Sequence, residues 1–251
     1  ITAIGDDIYS KSFCSHCNEK KINLEHSVRL KNKSLSSYIC LNDKFGEMQW
    51  AIADMENHKE ISPDFLKTKI DIINSSLLCV IDTNLSEEAI SFITKNCTVP
   101  IFADPVSTTK AKKLSKDLYS IHTLKPNLLE AELLSGIHIH TISDVEKAAR
   151  ALLERGVKNV FITMGNNGVY FLNSKIKGFI PALKLNIVST TGAGDSFIAT
   201  LAFSYINGLD IALGAKMAMA ASSLCLSSKC SVYQGLSYEK LKNIALNMEV
   251  E

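Results

Sequence analysis

The sequence predicts an α/β fold in which helices cover both faces of a mostly parallel β-sheet. Continuous apolar runs at 75–83, 99–105 and 158–165 are typical of strands buried on both sides of such a sheet. Segments with helical character lie between these runs, and this alternation indicates βαβ units. The 251 residues are enough for one large core, and no linker-like segment divides them. We therefore predict a single domain over 1–251.

The first quarter of the chain predicts a small β structure that stands apart from this sheet. Residues 1–7 read as a strand that enters a turn, and the polar segment after Ser10, to about Lys21, predicts a helix. Two β-prone runs follow, at 34–41 and 47–55, joined by a short link that contains Asn, Asp and Gly. This pattern predicts a β-hairpin.

The remaining elements alternate as the fold class requires. Ser86 is a candidate N-cap for the helix that follows the first buried strand. Ser143 and Glu146 have the spacing of a capping box at the start of a later helix. The predicted helices are 86–96, 108–118, 128–137, 143–156, 195–208 and 211–227, and further strands are predicted at 121–126 and 185–189, with a hairpin-like turn at 166–173.

Composition excludes several classes of function. The 27 Lys and Arg residues nearly balance the 26 Asp and Glu residues, whereas binding to a nucleic-acid backbone needs a basic surplus. No apolar run approaches the roughly 18 residues of a membrane span. The seven cysteines have irregular spacing, which argues against a disulfide framework and favours a reducing cytoplasm. Cys14 and Cys17 form a lone CxxC without a second pair, so we interpret them as packing residues.

The most informative stretch is STTGAGDSF at 189–197. Glycines let the backbone approach an anion, and the N–H groups and dipole of a following helix attract it. Asp195 then has two interpretations. It either complements the helix dipole, or it accepts a proton from a substrate hydroxyl while Gly192, Ala193 and Gly194 hold a transferring phosphoryl group. A P-loop is excluded because no GK[ST] follows, and Phe197 stands where a dinucleotide motif requires glycine.

Four stretches in the same order resemble the ribokinase-like (PfkB) family of small-molecule kinases: AIGDDIYSK at 3–11, KPNLLEAELLSG at 125–136, VFITMGNNGVYF at 160–171 and STTGAGDSF. The resemblance covers nearly all of the chain. It implies a ribokinase-like three-layer sandwich with a small β-lid at about 34–55, ATP and Mg²⁺ as cofactors, and a nucleoside or sugar hydroxyl as acceptor. Residues 82–90 and 104–114, together with Ser189, resemble the pseudouridine-kinase branch.

The resemblance also implies roles for individual residues. Asp195 would be the catalytic base, and Gly192, Ala193 and Gly194 would form the anion hole. Glu130 would act through water on Mg²⁺, although Asn127 and Glu130 also have the spacing of a capping box. The nucleotide is expected at Asn127, Glu130, Thr163, Gly165, Gly168, Thr191 and Ser223. Thr163, Gly165 and Gly168 also have the pattern of a plain strand end and hairpin turn. Ala220, Ser223 and Leu224 are at the family's adenine-facing position and are almost as well suited to helix packing.

Two regions are candidates for the substrate side. Asp104 follows the strand at 99–105, where it either contacts a ligand or forms a turn before Pro105. Tyr38 and Trp50 on the hairpin either close over the ligand as a lid or form a homodimer contact, since a lone two-stranded ribbon is barely stable. The resemblance is consistent with both roles.

The chain departs from the family pattern at three places. Ser189 replaces the carboxylate that in many relatives binds a monovalent cation together with the residue at Thr191, which weakens the case for K⁺ activation. The stretch SSKCSVYQGLS at 227–237 lacks the usual Asn-Pro, which weakens it further. The family's Gly-Gly motif before the G-D-D segment is not found, and we expect it in upstream sequence. The alternatives are a non-catalytic nucleoside or sugar sensor, a kinase for another sugar and, with least support, a dinucleotide-dependent oxidoreductase.

Overall fold

The computed structural model describes residues 1–43 and 48–251. Its N-terminal part contains one helix and two small pairs of strands, and the predicted hairpin is present. One pair is parallel and joins the segments that flank the helix, whereas the hairpin is antiparallel. The hairpin link at 44–47 lies outside the described residues. The elements are β1 (Ala3–Ile4), α1 (Ile8–Glu19), β2 (Val28–Arg29), β3 (Ser37–Asn42) and β4 (Met48–Asp54).

The central sheet follows the predicted topology. Within the described residues it has six strands in the order β10-β9-β8-β7-β6-β5. Strands β5 to β8 are parallel to one another, whereas β9 pairs antiparallel with both β8 and β10. The parallel part places the carboxyl ends of four strands along one edge of the sheet. The six strands of the sheet are β5 (Cys79–Asp82), β6 (Ile101–Asp104), β7 (Ile121–Leu124), β8 (Asn159–Thr163), β9 (Val169–Asn173) and β10 (Lys177–Ile180).

Helices cover both faces of the sheet because successive strand residues point to opposite sides. Ile101 and Ala103 belong to the core under α2 to α7, whereas Phe102 between them packs under α8 to α10. None of the helices in the described ranges is long and apolar enough to cross a membrane. They are α2 (Pro63–Lys67), α3 (Ile70–Asn74), α4 (Glu87–Asn96), α5 (Thr108–Ala111), α6 (Leu128–Ser135), α7 (Ile142–Glu154), α8 (Ala193–Ile206), α9 (Ile211–Leu226) and α10 (Tyr238–Leu246).

Helix caps confirm one prediction and correct another. The Ser86 hydroxyl accepts a hydrogen bond from the backbone N–H of Ala89 at 3.1 Å, so it caps α4 as predicted. The predicted start of α7 at Ser143 is wrong. Thr141 is the N-cap, and its capping box is completed by Asp144, whose backbone N–H donates to the Thr141 hydroxyl at 3.3 Å. An equally suitable Thr-x-x-Asp two residues upstream therefore starts the helix earlier.

The segment before α8 is not the strand that the sequence predicts at 185–189. The backbone N–H groups of Val188 and Ser189 donate to the carbonyl of Leu226 at the end of α9, at 2.8 and 3.2 Å. Because these donors are used by the end of a helix, the segment crosses to α8 as an irregular loop. The strand β10 stands at the sheet edge instead. The predicted helix at 108–118 is also shorter, with α5 followed by two 3₁₀ turns.

Candidate active site

The carboxyl edge of the parallel strands gathers charged and polar side chains from distant parts of the sequence. Asp82 ends β5 and Asp104 ends β6, and the two are direct partners in the strand register. Lys125 follows β7, and its backbone N–H donates to the carbonyl of Ala103 at 3.1 Å. Thr163 ends β8 and donates its backbone N–H to Pro126 at 2.9 Å. Ligands of open α/β sheets bind beyond this edge.

The glycine-rich turn forms the start of α8 and lies over this edge. Gly192 is the N-cap with φ of 85°, a left-handed conformation that favours glycine. A Cβ atom at this position would also lie only 2.0 Å from the carbonyl oxygen of Ser231. Among the described residues, no side chain caps this helix. The N–H groups of its first turn are therefore available to an anion.

A buried ion pair lies directly beneath this turn. Lys125 Nζ is 2.8 Å from Asp104 Oδ2, and the two side chains are 8% and 10% exposed. A Cβ atom on Gly194 would lie 3.0 Å from Lys125 Nζ and 3.7 Å from Asp104 Oδ2. The absence of a side chain at Gly194 thus leaves the ammonium group in contact with the turn. The other oxygen of Asp104 accepts the N–H of Val106 at 3.0 Å, so the turn interpretation of Asp104 is realised as well.

Lys125 was not assigned a role by the sequence analysis, although it opens the KPNLLE stretch. Its position one residue after a strand end, at the edge where ligands bind, is the signal that could have identified it. Its partner could not have been identified, because Asp104 belongs to the neighbouring strand.

Asp195 occupies the first turn of α8 and keeps an exposed surface at the open side of the site. Desolvation by the surrounding protein raises the pKa of its carboxyl group, and the negative charge of Asp104 raises it further. Lys125 acts in the opposite direction, and Asp82 adds a further rise. A carboxylate whose pKa is raised is a better proton acceptor when ionised, which suits the role of a general base.

Asn127 and Glu130 form the capping box of α6 that the sequence offered as one of two interpretations. The Asn127 side chain accepts the N–H of Glu130 at 2.9 Å, and Glu130 Oε2 accepts the N–H of Asn127 at 2.8 Å. Asn127 also bridges to Thr163, which holds this cap beside the end of β8. Glu130 is only 2% exposed, and burial raises its pKa.

The residues present fit Mg²⁺ held chiefly by phosphate and water. Glu130 is close enough to Lys125 and Asp104 for their charges to change its pKa, so its carboxylate belongs to the same edge as the ion pair. Over 1–43 and 48–251 there is no group of three or more His, Cys, Asp or Glu residues arranged for a metal. Mg²⁺ keeps several waters and is usually bound together with a phosphate, so Glu130 would act on it through water.

A cleft of about 290 Å³ extends from the glycine turn toward the end of β8. Gly168, at φ of 113°, permits a close approach here, since a Cβ atom would lie 2.0 Å from the carbonyl oxygen of Ile180. Much of the wall is apolar and comes from Leu183, Leu185 and Ile187 of the irregular loop before α8, to which the sequence pattern gave no role in a site. The cleft brings together the predicted residues Thr163, Gly165, Gly168, Ala193, Gly194 and Ser223 with the additional residues Asn166, Leu183, Leu185, Ile187, Thr190, Phe197, Met219 and Leu226.

Of the three α9 residues considered for nucleotide binding, only one lies at the cleft. Ser223 lines the cleft. Ala220 is fully buried in a separate cluster with Leu241 of α10, and Leu224 packs against the same cluster. At these two positions helix packing is therefore the correct interpretation.

The hairpin lies against the glycine turn and presents two different faces. Cys40 Sγ is 3.8 Å from the Thr191 hydroxyl oxygen, which places this face of β3 toward the site. Tyr38 is two residues away and shares that face. Trp50 pairs with Leu41 on the opposite face and is exposed. Trp50 therefore does not close over the ligand, and the predicted lid role remains for Tyr38 alone.

Ser189 and Thr191, for which the resemblance implied a monovalent-cation site, are engaged within the protein. The Ser189 hydroxyl accepts the backbone N–H of Thr191 at 3.3 Å. The carbonyl of Thr191 accepts a hydrogen bond from Cys225 Sγ at 3.5 Å. Both contacts hold the shape of the turn that precedes α8.

The two residues of the lone CxxC lie in α1. Cys17 is buried, and Cys14 Sγ accepts a hydrogen bond from the Arg29 guanidinium at 3.1 Å. The neighbouring G-D-D segment supports the hairpin, because Asp7 caps α1 and also accepts the N–H of Leu35 at 3.3 Å, just before β3.

An α/β sheet with an uncapped helix start and a carboxylate at its carboxyl edge is the arrangement expected of a small-molecule kinase. The family model for the pfkB family of carbohydrate kinases matches residues 1–233, and the chain belongs to this family. It is thus an ATP-dependent carbohydrate or nucleoside kinase with the ribokinase-like fold.

Individual proteins agree with this assignment. The chain is 35% identical to the pseudouridine kinase of Escherichia coli over 99% of its own length and 80% of that protein. A crystal structure of a protein assigned as a sugar kinase, from Clostridium perfringens, superposes with a TM-score of 0.86 at 30% identity and covers 99% of this chain and 79% of the other. A structure assigned as ribokinase II from Escherichia coli, in complex with ATP and Mg²⁺, has a TM-score of 0.82 at 18% identity, with 98% and 82% covered.

Proposed function

We propose that the chain phosphorylates the 5′-hydroxyl group of pseudouridine with ATP and Mg²⁺. The observation that carries this choice of substrate is the 35% identity to a pseudouridine kinase over 99% of the chain. The segment from Asp104 to Leu114 supports it, because it resembles the pseudouridine-kinase branch and begins at the carboxyl edge of the sheet.

The arrangement of the edge supports a direct transfer. Asp195 accepts the proton of the substrate hydroxyl as its oxygen attacks the γ-phosphorus, and the bond to the β–γ bridging oxygen breaks to release ADP. The backbone N–H groups of Gly192, Ala193 and Gly194 stabilise the charge on the transferring group. The Lys125 ammonium lies beside Gly194 and adds positive charge. Bound ATP would supply the phosphoryl group, and Mg²⁺ held through water near Glu130 would supply further positive charge for the phosphate.

The residues around Asp195 indicate where the adenine ring of ATP and the acceptor bind. The apolar wall of the 290 Å³ cleft suits the adenine ring, with Ser223 and Thr163 as polar contacts. The acceptor then lies between Asp195 and the inner face of the hairpin, where Tyr38 contacts it. The outer face of the hairpin carries Trp50 and other exposed apolar residues, and it forms the contact of a homodimer.

The test is ADP formation by the full chain with pseudouridine, uridine, ribose, deoxyribose and fructose as acceptors. We expect pseudouridine to give the highest kcat/KM. Asp195→Asn keeps the shape of the side chain and removes the base, so kcat should fall by about 10²- to 10⁴-fold. Asp64→Asn, in the first turn of α2 on the outer helix layer, is the matched control and should leave kcat unchanged.

Stability distinguishes loss of the base from loss of the fold. Because the folded protein raises the pKa of Asp195, ionising this carboxyl costs folding free energy at neutral pH. The neutral asparagine removes that cost, so Asp195→Asn should melt no lower than the wild type. Turnover near the wild-type value in this variant would reject the mechanism, and preference for another acceptor would reject the substrate. Nucleoside binding without any ADP formation would instead identify a sensor.

A further inference from the structure

A second cavity of about 220 Å³ lies at the other end of the sheet from the candidate active site. Its walls come from the first halves of β7 and β8, the second half of α8 and the start of α9, and it shares no lining residue with the nucleotide cleft. His122 and Asn159 belong to its sheet wall, while Ser204, Tyr205 and Gly214 belong to its helix wall. Nothing in the proposed reaction uses this cavity.

One side of the cavity is a cluster of three rings. Phe102 and His122 stack with their centroids 5.5 Å apart and their planes at 20°. Tyr205 meets both rings edge-on, with centroid distances of 4.8 Å to His122 and 5.5 Å to Phe102. Tyr205 is 43% exposed, so the cluster reaches the surface and marks the mouth of the cavity.

The helix wall also carries a hydrogen-bonding group that the protein does not use. Ser204 is 3% exposed, and its hydroxyl has no hydrogen-bond partner within the described part of the chain. Burying an unpaired hydroxyl is costly, and such groups are rare in folded proteins. The other polar groups form a network in which the Thr123 hydroxyl interacts with His122 Nδ1 at 2.9 Å and accepts from Asn159 Nδ2 at 3.4 Å.

The lining favours an uncharged ligand. Burial, followed by the positive charge of Lys158, lowers the pKa of His122, so its imidazole is neutral at physiological pH. The hydroxyl and amide groups of Ser204, Thr123 and Asn159 are also neutral. Asp210 carries a charge at the rim, but its carboxylate caps α9 by accepting the N–H of Leu213 at 2.8 Å.

The size of the cavity sets the size of the ligand. An engineered protein cavity of about 150 Å³ accommodates benzene, so 220 Å³ is sufficient for one six-membered ring with its substituents. We propose that this cavity binds a neutral six-membered heteroaromatic molecule of the pyrimidine-base class. Its ring lies against the cluster of Phe102, His122 and Tyr205, and its polar edge is hydrogen-bonded by Ser204.

The test is equilibrium dialysis of the full chain against uracil, cytosine and nicotinamide as separate probes. A saturating non-hydrolysable ATP analogue and pseudouridine are included so that the proposed catalytic cleft is occupied. We expect at least one probe to bind with one site per chain. Tyr205→Ala should weaken this binding by about tenfold, since it removes an aromatic ring on which the probe stacks. Phe203→Ala is the matched control, because this neighbouring ring on α8 is 41% exposed and is absent from the cavity wall.

A second variant separates binding from folding. Ser204→Ala removes a buried hydroxyl that has no protein partner, so its melting temperature should equal or exceed that of the wild type. It should nevertheless bind the probe more weakly. The proposal is overturned if none of the three probes binds, or if Ser204→Ala retains full affinity. It is also overturned if the probe binds only when the catalytic-site ligands are left out and Tyr205→Ala does not weaken that binding.

Discussion

The ion pair between Lys125 and Asp104 allows a quantitative test of the candidate active site. Both side chains are at least 90% buried, and their charged atoms are 2.8 Å apart. Lys125→Met removes one partner and leaves the other as an uncompensated charge, which typically costs about 3–5 kcal/mol. For a chain near this size each kcal/mol lowers the melting temperature by about 2–4 °C, so we expect a decrease of about 6–20 °C. Urea denaturation and thermal melting measure both quantities.

The double variant Asp104→Asn with Lys125→Met is the control for this loss. It leaves no isolated charge and keeps similar side-chain volumes, so it should recover most of the stability that Lys125→Met loses. If Lys125→Met is as stable as the wild type, or if the double variant is less stable than either single variant, the pair is not the buried unit described above.

The single variants Asp104→Asn and Lys125→Met should move the pH dependence of catalysis in opposite directions. Asp104 raises the pKa of Asp195 and Lys125 lowers it. Since Asp195 must be ionised to accept a proton, kcat/KM of the wild type should fall as the pH drops through this pKa. Asp104→Asn should shift that acidic limb to lower pH, and Lys125→Met should shift it to higher pH. Shifts in the same direction in the two variants would refute the assignment of this limb to Asp195.

Three further predictions concern other parts of the molecule. A hydrogen bond with the Cys79 thiol lowers the pKa of Cys97 to about 7, so Cys97 should be alkylated by iodoacetamide at pH 7.5 faster than the exposed Cys230. Cys79→Ala should slow the alkylation of Cys97, measured by mass spectrometry of the peptides, and an unchanged rate would contradict this prediction. Trp50→Asp places a charge on the outer face of the hairpin and should halve the mass measured by light scattering, whereas an unaltered mass would exclude this face as the dimer contact. Ser189→Asp introduces the carboxylate of the family pattern and should increase the ratio of activity in K⁺ to that in tetramethylammonium by several-fold. An equal ratio in the wild type and the variant would show that this position does not affect cation binding.

Much of the fold was predictable because its determinants are local. The continuous apolar runs became β5, β6 and β8, although Val80 in the edge strand β5 is 49% exposed. The Asn-x-x-Glu spacing marks the start of α6, and Ser86 marks the start of α4. Side-chain caps act over three or four residues, so the sequence contains both partners of each interaction. The error at α7 is of the same kind, because Thr141 and Ser143 both offer a suitable cap and only packing selects between them.

The glycine turn shows how far a motif leads on its own. The stretch from Ser189 to Phe197 predicts a helix start with room for an anion, and the structure places Gly192 in the left-handed conformation at that start. The motif could not indicate what lies beneath Gly194. That depends on Lys125, about 70 positions earlier in the chain.

The sequence by itself determined the class of fold, the positions of most helices and buried strands, and the glycine turn with Asp195 behind it, because periodicity and capping are properties of neighbouring residues. The tertiary structure alone decided the environment of these groups. It paired Lys125 with Asp104, raised the pKa of Asp195 by desolvation, turned Trp50 away from the site and formed the wall of the cleft from an irregular loop. Each of these depends on which distant segments are adjacent and in which register, and in a sheet a shift by one residue moves a side chain to the opposite face.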